Sequence, residues 1–141
     1  MNPAVLMAVS AGAAISLQVV ANSIGLRDLG IGGLIGLSAM TTAGAGLLFA
    51  LSASRPEITG RALLCALASG LLGAFILAAI TLAANRGGLA QTLSLVIASQ
   101  LGFGLVIDRL GFFGPSFQSV SLVKIFGALL ILAGGVLVVR Y

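Results

Sequence analysis

The sequence predicts an all-α integral membrane protein with five transmembrane helices. Three observations lead there. Of 141 residues, 60% are hydrophobic and 7% are charged, whereas a soluble domain carries about 25% charged residues. Mean hydropathy is +1.24, so there are too few polar residues to cover a surface facing water. Five apolar runs recur along the chain: Ala4 to Gly25, Leu29 to Ala53, Arg61 to Ala84, Leu89 to Ile107 and Leu122 to Val139. Each is near the ~20 residues that cross about 30 Å of hydrocarbon at 1.5 Å per residue. Only helices and closed barrels satisfy their backbone in lipid. The runs are continuous rather than alternating and rich in Ala and Leu, which selects helices. Residues 1–141 read as a single five-helix membrane domain.

The first run follows Met1-Asn2-Pro3, which has no basic segment, and lacks a signal-peptidase boundary, so it predicts a retained helix. Gln18 and Asn22 are four apart and share a face that Ala11 and Ile15 continue. Ala8, Gly12 and Ser16 form a row of small residues on another face, suited to close helix contact. The short connection Leu26 to Gly30 predicts an antiparallel neighbour. The second run carries Gly32, Gly33, Gly36, Ser38, Thr41, Thr42, Gly44 and Gly46. Gly32 and Gly36 have packing spacing, and the density of glycine leaves bending open as a second reading.

Ser54-Arg55-Pro56-Glu57 has the form of a capping box with proline in the first turn, so the third helix is expected to begin near Arg55. Cys65 stands alone inside this run. No disulfide within the chain is possible, and a small buried apolar role is expected. Asn85-Arg86-Gly87-Gly88 predicts a tight turn into the fourth helix. Gly111 to Gln118, with three Phe among Gly and Pro, predicts a loop at the membrane interface. In the fifth run Lys124 is placed to snorkel and Tyr141 to anchor at the interface.

Net charge is +4, from seven Lys and Arg spread singly over the connections. Without a basic patch, attraction to lipid headgroups explains them better than nucleic acid. With five spans, Arg55, Arg61, Arg109 and Lys124 fall on one side, and Arg27, Arg86 and Arg140 on the other. Lys and Arg normally concentrate in the cytoplasm and set orientation. This near balance has two readings, chance or insertion both ways with pairing to an inverted copy, and the second is preferred.

No His occurs, and no carboxylate pair or nucleophile-base set lies in a span, so an enzyme is not expected. Gly102-Phe103-Gly104 lies within a helix and follows no strand, so it is not a nucleotide fingerprint. No cofactor or metal is expected. What stands out is Gln91 to Gly114, an apolar stretch holding Gln91, Ser94, Ser99 and Gln100 before Asp108-Arg109. With Gln18 and Asn22, these are uncharged hydrogen-bonding groups at membrane depth. They either bind helices together or line a site for a small solute. Gln91 and Ser94 share a face, while Gln100, Gly104 and Asp108 form another stripe. Asp108 is either an interfacial carboxylate or a coupling residue for a proton or cation.

Leu17-Gln18 with Asn22, Ser99-Gln100-Leu101, and Ile107-Asp108-Arg109-Leu110-Gly111-Phe112-Phe113-Gly114 together resemble the YdcZ-type small membrane proteins of the drug/metabolite transporter superfamily. The resemblance covers the whole chain. It implies a bacterial inner-membrane protein found as a dual-topology homodimer, an oppositely oriented pair or a fused two-domain chain. Arg109 stands where similar chains often have His after the Asp, and the Trp residues that commonly lead into the third helix are missing. Small multidrug exporters differ in having four helices and a Glu in the first, where Gln18 and Asn22 stand here.

The sequence thus predicts one half of an inverted-repeat (5+5) transporter, two copies enclosing a midplane site with alternating access. Gln18, Asn22, Gln91, Ser94, Ser99 and Gln100 are the candidate solute-binding residues. The expected partners are a second inverted copy, membrane lipids and a small organic solute that is neutral, zwitterionic or amphipathic. The competing expectation is a membrane subunit that transports nothing and uses its polar residues only to pack helices.

Overall fold

The computed structural model describes residues 2–52, 58–111 and 122–140. The predicted cap at 54–57, the loop at 112–118, the Lys124 side chain and Tyr141 lie outside them. The chain divides into two compact units, Met1–Leu82 and Ala83–Tyr141. Among the described residues the elements are four helices: α1 Pro3–Ser52, α2 Gly60–Gly87, α3 Leu89–Leu110 and α4 Leu122–Arg140. The expected five helices, and with them the five-helix half of a 5+5 repeat, are therefore corrected to four.

The correction arises in α1, which has 50 residues. A straight helix of that length would be about 75 Å long, more than twice the hydrocarbon core. The sequence predicts a connection from Leu26 to Gly30, but helical backbone runs through it up to one residue. Only Gly30 is non-helical, with φ 63° and ψ 173°. A residue with a Cβ rarely adopts this backbone region. The chain folds back there. A Cβ built on Gly25 would stand 3.3 Å from Leu34 Cδ1, although nine residues of straight helix would separate these positions by about 13 Å. Val19, Asn22 and Leu34 are buried in this fold.

The start of α1 is set by Asn2 and Pro3. The Asn2 side-chain oxygen accepts the Ala4 N–H at 3.0 Å, and its backbone carbonyl accepts the Val5 N–H. Pro3 needs no partner at the first helical position. Further on, Thr59 caps α2, its hydroxyl accepting the Ala62 N–H at 3.2 Å. Ile58 and Thr59 are not helical, so this helix begins at Gly60 rather than near Arg55. Residues 60–73 of α2 are exposed on every face. Cys65, expected to be buried, is exposed with them.

In the second unit Gly88 (φ 85°, ψ 158°) separates α2 from α3. Its N–H closes α2 on the Ala84 carbonyl at 2.9 Å, and its own carbonyl accepts both the N–H and the hydroxyl of Thr92. Gly111 ends α3 in the left-handed conformation and donates to the Asp108 carbonyl. Helices α3 and α4 pack on each other. A Cβ on Gly135 would lie 3.5 Å from the Ser94 carbonyl oxygen and 3.9 Å from Ala98 Cβ. The contact falls about as far before the end of α3 as after the start of α4.

Among the described residues, α1, α2 and α3 are long and apolar enough to cross a membrane, whereas the apolar part of α4 is the shorter Ile125–Arg140. Three helices of membrane length, not five, are thus found among the described residues. Arg86, Arg109 and Arg140 occupy the last turns of α2, α3 and α4, where a cation suits both the helix dipole and the headgroup region. The positive φ of Gly30 makes a direct prediction. Gly30→Ala lowers stability in detergent by about 1–3 kcal/mol, the usual cost of such backbone strain. Gly32→Ala, at a helical position with nothing within 4 Å, leaves it unchanged or raises it. Heating each variant and measuring the protein left monodisperse checks the contrast.

Candidate functional site

Two kinds of polar side chain occur along the apolar helices, and they solve the same problem differently. In hydrocarbon an unpaired polar group is costly. Several hydroxyls are paired locally. Ser16 donates to the Gly12 carbonyl, Thr42 to Ser38, Thr92 to Gly88 and Ser99 to Val96, over 2.8–3.1 Å. Such back-bonding needs no tertiary partner. A side-chain amide is longer and has two donors and an acceptor. Gln18, Asn22, Gln91 and Gln100 make no hydrogen bond among the described residues.

Their placements differ. In the first unit Gln18 is exposed and Asn22 is only 8% exposed. The predicted stripe Ala11, Ile15, Gln18, Asn22 thus stays open as far as Gln18 and closes at Asn22. Val19 and Asn22, three apart, form the face that the folded-back chain covers. Gly12, Gly32 and Gly36, predicted as packing positions, meet nothing within 4 Å.

In the second unit the polar residues of α3 occupy two sides. Taking Ala98 as the direction of α4, Gln91 and Ser94 lie within about 40° of it at 100° per residue. Both are half-buried. The Gln91 side chain folds back over Gly87, where a Cβ would meet its Oε1 at 3.2 Å. Gln100 lies about 200° round from Ala98, on the side away from α4, and is exposed. It also stands at the centre of α3. Ser99 is exposed but bonded to its own helix. Asp108 is half-buried in the last turn and makes no ion pair with Arg109. Among the described residues no three His, Cys, Asp or Glu side chains gather as metal ligands.

The arrangement offers neutral donors and acceptors within spanning helices, a means of holding a solute rather than of breaking bonds. The family described as "Putative inner membrane exporter, YdcZ" matches residues 3–137. The chain belongs to the YdcZ family. Membership makes it a multi-pass inner-membrane protein of the drug/metabolite transporter type, a non-enzymatic class of small-molecule transporters. No curated protein and no solved structure matches the chain.

Sequence reading of this YdcZ-family chain missed the seat of α4 on α3. Gly134-Gly135 was the available signal, one glycine pair among 20 glycines. It missed Thr92 too, although the four-residue step from Gly88 is the spacing at which a hydroxyl bonds back. The close approach at Gly135 predicts a graded response. Gly135→Ala is tolerated, because its Cβ meets neighbours at ordinary contact distance. Gly135→Leu overpacks the helix pair and costs about 1–3 kcal/mol, read as reduced thermal survival in detergent.

Proposed function

We propose that this YdcZ-family chain moves small organic solutes across the inner membrane. Two copies in opposite orientations enclose a mid-depth site and open alternately to either side. The observation that carries this reading is the set of four amides without a hydrogen bond among the described residues. Transfer of an unpaired amide from water to hydrocarbon costs ~4–8 kcal/mol. A solute, together with a second copy, supplies the missing partners. Gln18, Asn22, Gln91 and Gln100 bind the solute through their amides, and Ser94 and Ser99 line the site beside them. Residues 1–141 act as one membrane domain.

None of these six side chains carries a charge, which suits a neutral, zwitterionic or amphipathic solute. With α1 counted as two legs that meet at Gly30, Lys and Arg divide four against three between the two sides, which supports insertion in both orientations. Asp108 is assigned the coupling role, since it lies on the same helix as Gln91 and Gln100.

Purified protein in liposomes, supplied with a panel of labelled neutral, zwitterionic and amphipathic solutes, tests the binding roles. Asn22→Ala and Gln100→Ala each reduce flux by about tenfold or more, from the loss of a buried hydrogen bond of ~1–3 kcal/mol. Ser99→Ala stays within about twofold, because its hydroxyl bonds its own helix. Asp108→Asn abolishes coupled flux. Normal assembly with no flux for any solute identifies a packing subunit instead. A second prediction concerns orientation. Three Lys added after Tyr141 force one orientation and abolish activity, whereas full activity in a uniformly oriented variant contradicts the opposed pair.

A further inference from the structure

We infer that Gln100 is the point at which the two copies cross, its amide bonded to the same amide of the second copy. The inference rests on the opposed pair proposed above and adds a specific contact to it. Its starting point is a conflict within α3. Gln100 is exposed, makes no hydrogen bond among the described residues, and lies on the side of the helix away from α4. It also sits at the centre of Leu89–Leu110, farthest from the water at either end. An amide left against lipid there has nothing to bond.

Symmetry selects the partner. Two copies in opposite orientations are related by a twofold axis lying in the membrane plane. That axis turns each depth into its mirror depth. A residue above the midplane meets one below it, and only a residue at the midplane meets its own copy. With α3 centred in the membrane, that position falls to Gln100, at the middle of Leu89–Leu110. Leu93 and Ile107 lie on the same face, about 10 Å to either side, and the axis exchanges them. An amide is also the side chain best suited to meet itself, since it carries both donor and acceptor and two of them close a mutual pair of hydrogen bonds. One turn further, Gly104 has nothing within 4 Å of a Cβ position. Its bare backbone lets another helix approach closely. Opposite it the axis brings Val96 of the second copy. The amide pair then forms the symmetric centre of the solute site, exchanging its mutual bonds for bonds to a solute.

Disulfide crosslinking in native membranes tests this, in a Cys65→Ala background so that only introduced thiols react. Gln100→Cys is expected to give a covalent dimer on mild oxidation. Leu93→Cys and Ile107→Cys, each expressed alone, stay monomeric, but link to one another when two differently tagged copies are expressed together. Val96→Cys expressed with Gly104→Cys links in the same way and keeps both amides, so a loss of pairing caused by removing Gln100 is recognised. If neither Gln100→Cys nor the Val96 and Gly104 pair links while both orientations are still present in the membrane, the crossing is refuted and the opposed pair stands. If Leu93→Cys and Ile107→Cys each link to their own copies, the helices run parallel, and the crossing and the opposed pair both fall.

Discussion

Every polar group that enters hydrocarbon must bring a partner or find one, and this constraint orders the whole chain. Backbone groups of the described residues bring theirs by remaining helical almost throughout. Several hydroxyls bring theirs by bonding a carbonyl one turn back, as Ser16, Thr42 and Ser99 do. The four amides of Gln18, Asn22, Gln91 and Gln100 have none within the described chain. The proposed function assigns solute binding to this remainder. A hydroxyl bonded to its own helix has little left to offer a solute, whereas an unbonded amide has its full capacity.

The same constraint explains how sparingly the helices are interrupted. Between α2 and α3 one glycine, Gly88, leaves the helical region, and its N–H and carbonyl are both bonded at once. Within α1 the interruption is again a single glycine, Gly30. A longer loop would strand more backbone groups at the edge of the hydrocarbon. Close packing follows where small residues coincide. Gly135 opposite Ala98 lets α4 settle against the Ser94 backbone, which fixes the side of α3 that is occupied and leaves Gln100 on the other.

Much of the fold was legible because lipid rewards composition directly. The apolar runs fell on helices, and of the turn expected over Asn85 to Gly88 only Gly88 leaves the helical conformation. The helix count was not legible. A connection and a one-residue break have the same signature at Leu26 to Gly30, and only backbone geometry tells them apart. The start of α2 was misplaced because a capping pattern at Ser54 and a capping threonine at Thr59 compete within a few residues. Cys65 was expected to be buried on the general habit of cysteine, yet it lies where α2 is exposed on all sides. Of the candidate site, the residue types were readable and their faces were not. Gln18 and Asn22 are four apart on one face, but the fold at Gly30 buries only the second. Gln91 and Gln100 were placed on opposite sides of α3 by helical arithmetic alone, and the seat of α4 agrees.

The central claim is that the chain works as two copies in opposite orientations within the inner membrane. The most direct measurement is the sidedness of its ends. A single cysteine placed next to Asn2 or next to Arg140, in a Cys65→Ala background, can be labelled with an impermeant thiol reagent from either face of sealed membranes. The account predicts that each position is labelled from both faces, to about half of the total in each case. Labelling of each position from one face only, in membranes with full transport activity, would contradict it.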